Sequence, residues 1–110
     1  MDVSFIELAV FERDREKHIS DDEFQLLQSL LLDNPHAGSL IPGSGGLRKI
    51  RFVDPRRGKG KRGGLRIIYY YFESRLEILL FMIYSKGEIE GLSSDQLKYF
   101  SKVLTHYTSD

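Results

Sequence analysis

The sequence predicts one small α/β domain of the α+β kind, with helices packed on a largely antiparallel sheet in the order β-α-α-β-β-β-α. Three observations predict it. At 110 residues the chain has the length of a single domain, 1–110, built around one core. Apolar residues recur at helical spacing after two separate capping sequences, Ser20-Asp21-Asp22-Glu23 and Ser93-Ser94-Asp95-Gln96. Three runs rich in β-branched and aromatic residues follow one another between residues 47 and 84, and their short or flexible links favour antiparallel pairing.

Taken in order, Ser4-Phe5-Ile6-Glu7-Leu8 has the bulky apolar content of a first strand, although its alternation is imperfect. Val10 to His18 interleaves Glu and Arg around a thin apolar stripe, which predicts a short exposed helix. Ser20 then caps a helix in which Phe24, Leu27, Leu30 and Leu31 share a face, and Pro35 stops it. His36 to Gly46 is a turn-rich loop. From Leu47 a strand follows whose alternation sets Ile50 and Phe52, with Arg48 at its start, against Lys49 and Arg51 on the other face. Val53 to Gly64 is a basic, glycine-rich loop; Leu65 to Phe72 is an aromatic strand; Glu73-Ser74-Arg75 is a turn. Leu76 to Tyr84 is apolar on both faces, as a central strand covered on two sides is. A terminal helix carries Leu97, Phe100, Leu104 and Tyr107 on one stripe.

The composition is 41% hydrophobic and 29% charged, which sets aside a disordered chain. The absence of cysteine rules out a disulfide scaffold and thiolate metal clusters, and it fits a reducing compartment. No apolar run has the length of a membrane span or the form of a signal peptide, so a soluble, cytoplasmic protein with no membrane partner is expected. The three histidines, His18, His36 and His106, have no metal-ligand spacing, and no metal or other cofactor is expected.

The zero net charge hides a sharp asymmetry. Between Arg48 and Arg66 nine basic residues face a single acid, Asp54, so this stretch is +8 and the remainder −8. Lys49 and Arg51 lie about 7 Å apart on one strand face, a spacing close to that of neighbouring phosphates on a nucleic-acid strand. Arg66 begins the next strand and brings a third cation alongside if the two strands pair. Gly58, Gly60 and Gly63 meet the GxGxxG spacing but precede a strand rather than open a helix, so they are not a dinucleotide fingerprint. The loop reads instead as a phosphate-contacting segment in which Arg56, Arg57, Lys59, Lys61 and Arg62 supply charge, with Arg48 beside it. Tyr84, next to Lys86 at the end of the last strand, is the tyrosine best placed for a site.

Three blocks carry a resemblance: Gly46-Leu47-Arg48-Lys49-Ile50-Arg51; Gly58-Lys59-Gly60-Lys61-Arg62-Gly63-Gly64 with Arg66-Ile67-Ile68-Tyr69-Tyr70; and Ile83-Tyr84-Ser85-Lys86. In this order they resemble the HigB branch of the RelE/ParE toxin superfamily, over nearly the whole chain. The resemblance departs at Gly87 and Ser93, where RelE has an arginine and a tyrosine. It implies a toxin of a type II toxin-antitoxin system, an endoribonuclease or mRNA interferase that cuts messenger RNA in the ribosomal A site. It also implies a cognate helix-turn-helix antitoxin through which the pair binds operator DNA. By position it assigns Lys49, Arg51, Arg66 and Lys86 to the catalytic site, with Tyr84 beside them. Arginine does not act as a base at neutral pH, so Arg51 and Arg66 are clamps, Lys49 is the candidate base, and Lys86 or Tyr84 the acid. Two further readings remain: a ParE-like inhibitor of DNA gyrase that cuts no RNA, and a non-catalytic RNA-binding module.

Overall fold

The computed structural model describes residues 2–53, 64–87, 89 and 91–109. Among the described residues five strands form one mixed sheet: β1 (Ser4–Glu7), β2 (Ser39–Leu40), β3 (Arg48–Phe52), β4 (Leu65–Phe72) and β5 (Glu77–Ser85). Their spatial order is β1-β5-β4-β3-β2. Only β1 runs parallel to its neighbour, which places the most apolar strand, β5, second from the edge between β1 and β4. The described residues also form three helices, α1 (Ala9–His18), α2 (Asp21–Asp33) and α3 (Ser94–Thr108). The α+β expectation therefore holds, with helices on both sides of a mostly antiparallel sheet.

Both predicted capping boxes form. The Ser20 hydroxyl accepts from the Glu23 N–H at 3.1 Å while the Glu23 carboxylate accepts from the Ser20 N–H at 2.9 Å. Ser93 and Gln96 repeat the exchange at the start of α3. Each box satisfies two backbone donors that the first turn of a helix otherwise leaves open. At α2 it also takes Glu23 to 5% exposure, a burial that its charge alone does not announce.

The sheet separates two cores. Phe11, Ile19, Leu27 and Leu31 from the α1 and α2 side pack on Ile50, Phe52, Ile67, Tyr69, Ile78 and Leu80. Phe100 and Leu104 of α3 pack on Leu47, Ile68, Leu79, Phe81 and Met82. The strand alternation is broken once. Tyr69 pairs with Leu80 and Ile68 with Met82, so Phe81 is an extra residue in β5, and Phe81 and Met82 both face α3. The Phe81 ring meets Phe100 edge-on at 5.3 Å.

Three details differ from the sequence expectation. The first of the predicted central strands begins at Arg48 rather than Leu47. Glu73–Arg75 closes into a single 3₁₀ turn. A two-residue strand, Ser39–Leu40, adds to the outer edge of β3, pairing Ser39 with Lys49 and Leu40 with Arg48. Two residues are too few to show a period, and the short strand covers a sheet edge that is otherwise open. Among the described residues no helix is long and apolar enough to cross a membrane.

Candidate functional site

The register of β3, β4 and β5 decides what the cations on β3 can do together. Arg51 pairs with Arg66, and Arg66 pairs with Tyr84, so the three form one row across the sheet. Neighbouring strands lie about 4.8 Å apart, which brings the two guanidinium-bearing positions directly opposite each other. The row belongs to the α3 side of the sheet, because Tyr84 and the next same-face pair, Ile68 and Met82, join the α3 core. Lys49 is level with Ile68, one row inward. On the other side of the row Phe52 pairs with Leu65 and Leu65 with Ser85, and Lys86 follows with its N–H 3.5 Å from the Gly64 carbonyl. The structure thus brings together all five residues assigned to catalysis: Arg51, Arg66 and Tyr84 in the row, with Lys49 and Lys86 on its two sides.

Lys49 and Arg51 are exposed, Arg66 is half-buried and Tyr84 is 5% exposed. Burial pushes the Tyr84 hydroxyl pKa above its ordinary value, and the positive charge of Arg66 opposes part of that rise. Tyr84 therefore keeps its proton at neutral pH, so its hydroxyl is able to donate. The backbone at the rim is shaped by Gly64, with φ +62. A Cβ there would stand 2.5 Å from Val53 Cγ2 and 2.8 Å from the Phe52 carbonyl oxygen, so only glycine lets the chain return into β4 at this point.

Arg48 is not part of this site. It points to the opposite face, with Ile50 and Phe52, and its Nη1 donates to the carbonyls of His36 at 3.1 Å and Gly38 at 2.7 Å. Tyr69 completes the clasp. Its hydroxyl accepts from the Gly38 N–H at 2.9 Å and donates to the Pro35 carbonyl at 2.8 Å. The loop from α2 to β2 is thereby tied down beneath the strand that carries Lys49 and Arg51. No local pattern marks Tyr69 for this role; the parity of β3 was the available signal for Arg48. Arg56, Arg57, Lys59, Lys61 and Arg62 lie outside the described residues. Among the described residues no three His, Asp or Glu side chains gather as metal ligands.

No protein-family model matches the chain. Comparison with solved structures is more telling. The intact E. coli RelBE toxin-antitoxin complex aligns with a TM-score of 0.55 at 16% identity, over 76% of this chain and 96% of that one. The fold is that of RelE. A free E. coli RelE variant with two arginines changed to alanine aligns at TM-score 0.57 and 11% identity, over 94% of this chain and 98% of its own. The same variant in complex with an antitoxin RelBc peptide gives 0.57 and 14%, over 99% and 97%. At these identities the RelE likeness is one of fold, and the chemistry has to be argued from the row itself.

Proposed function

We propose that this protein is the toxin of a type II toxin-antitoxin system, in the HigB branch of RelE-like proteins, and that it is a ribosome-dependent endoribonuclease that cuts messenger RNA in the A site. The observation that carries the reading is the row of Arg51, Arg66 and Tyr84. Like charges directly opposite each other on neighbouring strands weaken a sheet, so two opposed arginines are a liability that a bound phosphate turns into an asset. A bidentate guanidinium matches phosphate geometry. The RelE-like fold supports the toxin assignment, and the presence of antitoxin in the RelE complexes supports a cognate antitoxin, of the helix-turn-helix kind, that also takes the pair to operator DNA. An enzyme that acts on translating ribosomes works in the cytoplasm.

The chemistry follows from the atoms in the row. The RNA 2′-hydroxyl attacks the adjacent phosphorus and gives its proton to the base, for which Lys49 is the candidate. Arg51 and Arg66 stabilise the charge gathering on the equatorial oxygens. Tyr84 gives its proton to the departing 5′-oxygen, with Lys86 as the alternative donor. The products are a 2′,3′-cyclic phosphate and a 5′-hydroxyl, and every proton is accounted for without a metal ion.

The test maps RNA ends after mixing the purified protein with messenger RNA, either naked or on translating ribosomes, with Arg66→Ala as control. Cleavage confined to ribosomes and lost in the variant is the expected result. Cleavage of naked RNA keeps the enzyme and removes the ribosome requirement. No cleavage in either setting by folded protein overturns the ribonuclease reading.

A further inference from the structure

Two buried tyrosines of the sheet treat their hydroxyls differently. Tyr69, fully buried, bonds through its hydroxyl to the backbone at both Gly38 and Pro35. Tyr84 is 5% exposed, and its hydroxyl bonds to none of the described residues. No polar side-chain atom among the described residues is both sealed from solvent and without a partner, so the small open part of Tyr84 includes its hydroxyl. The ring is covered while its oxygen stays free to bind, beside Arg66, whose charge acts on it.

The turn from β5 to α3 supplies part of that cover. Gly91 has φ +140, a conformation that residues with a side chain rarely adopt. A Cβ built there would stand 3.8 Å from the Tyr84 hydroxyl oxygen, so the bare backbone of the turn passes close beside the oxygen itself. Leu92 then packs on the α3-side core that includes Tyr84, and Ser93 caps α3. Gly87, at the start of the same turn, is different. A Cβ there would meet nothing within 4 Å, and its φ is not positive.

We propose that Gly91 is a positioning residue for the row: it brings the turn against Tyr84 without a side chain, which holds the hydroxyl toward the phosphate between Arg51 and Arg66 and leaves it uncovered for the departing 5′-oxygen. The inference rests on the reading of the row as a ribonuclease site. It adds a choice between the two candidate donors, because the turn that follows Lys86 is shaped around the Tyr84 oxygen. An L-residue at position 91 is driven away from φ +140, and the turn moves off the hydroxyl with it.

The first test needs no cleavage. The whole protein is labelled at the Cζ carbon of its six tyrosines, with Tyr84→Phe to assign the signal, and compared by NMR with Gly91→Ala and Gly87→Ala. Gly91→Ala is expected to move the Tyr84 signal alone, and Gly87→Ala to move none. In the unsubstituted protein an NOE is expected between the Gly91 Hα protons and the Tyr84 ring, which tests the approach even if Gly91→Ala fails to fold. The second test is a double-mutant cycle on translating ribosomes. Gly91→Ala is expected to lower the single-turnover rate about 10–100-fold with KM unchanged, and to cost nothing further in a Tyr84→Phe background. A Tyr84 signal that stays put, or that Gly87→Ala moves equally, overturns the positioning role, as does a missing NOE. So does an equal loss of rate with and without the Tyr84 hydroxyl. Full activity in Tyr84→Phe gives the donor's part to Lys86 and overturns the inference while the nuclease stands. A shifted Tyr84 signal in folded protein that cuts no RNA keeps the contact and overturns the nuclease reading.

Discussion

Arg48 and Arg51 stand three residues apart on the same short strand, and the sheet sends them to opposite surroundings. Arg48 shares its face with Ile50 and Phe52, where it donates to the carbonyls of His36 and Gly38 and fastens a loop. Arg51 shares its face with Lys49, and its partner across the ladder is another arginine. The same side chain is thus a structural clasp on one side of β3 and the proposed phosphate clamp on the other. Composition cannot tell them apart; parity and register can.

This contrast is breakable by substitution, and the largest effect belongs to the α3 side. Arg51→Ala is expected to lower cleavage on ribosomes at least about 100-fold, the scale of losing one donor that stabilises transition-state charge, while the thermal midpoint stays within about a degree. Stability measured alongside RNA end mapping checks it; an active Arg51→Ala protein would place the clamp elsewhere. Tyr69→Phe comes next, on the clasp side. It leaves the Gly38 N–H and the Pro35 carbonyl without their buried partner, at a cost of about 1–3 kcal/mol, which thermal unfolding reports as several degrees for a domain of this size. Cleavage per folded molecule should be unchanged.

The smallest effect is a pH slope. Burial raises the pKa of both Tyr69 and Tyr84, against the opposing pull of Arg48 on the first and Arg66 on the second. A hydroxyl that keeps its proton longer in the folded than in the unfolded chain makes its full contribution below the unfolded value, about 10, and loses it as pH climbs through the folded value. Stability should therefore fall more steeply above about pH 10 in the parent than in Tyr84→Phe. Denaturant titrations at pH 8 and at pH 10.5 measure the difference, and identical slopes would show that the tyrosine is not buried as described.

What the sequence revealed was the part written in local patterns. Ser20 with Glu23, and Ser93 with Gln96, state their helix starts within four residues, because a capping box is closed by its own side chains. The two-faced strand at Arg48 to Phe52 was legible from alternation, and so was the central position of the apolar run that became β5. The row was not. It depends on which residue of β4 lies opposite Arg51 and which residue of β5 lies opposite Arg66, and both are settled by long-range pairing. The extra residue at Phe81 shifts that pairing by one and leaves no trace in a period-two pattern.

The bulge at Phe81 has a consequence for how such a chain can vary over time. Met82 already pairs with Ile68 and Leu80 with Tyr69, so losing Phe81 alone would restore regular alternation and leave Tyr84 opposite Arg66. Losing one residue between Met82 and Tyr84 would instead turn the end of the strand over and carry the tyrosine to the other side of the sheet. β5 therefore has one place where descendants can change its length without losing the site. Lineages that shorten this strand elsewhere must rebuild the proposed proton donor from another part of the fold.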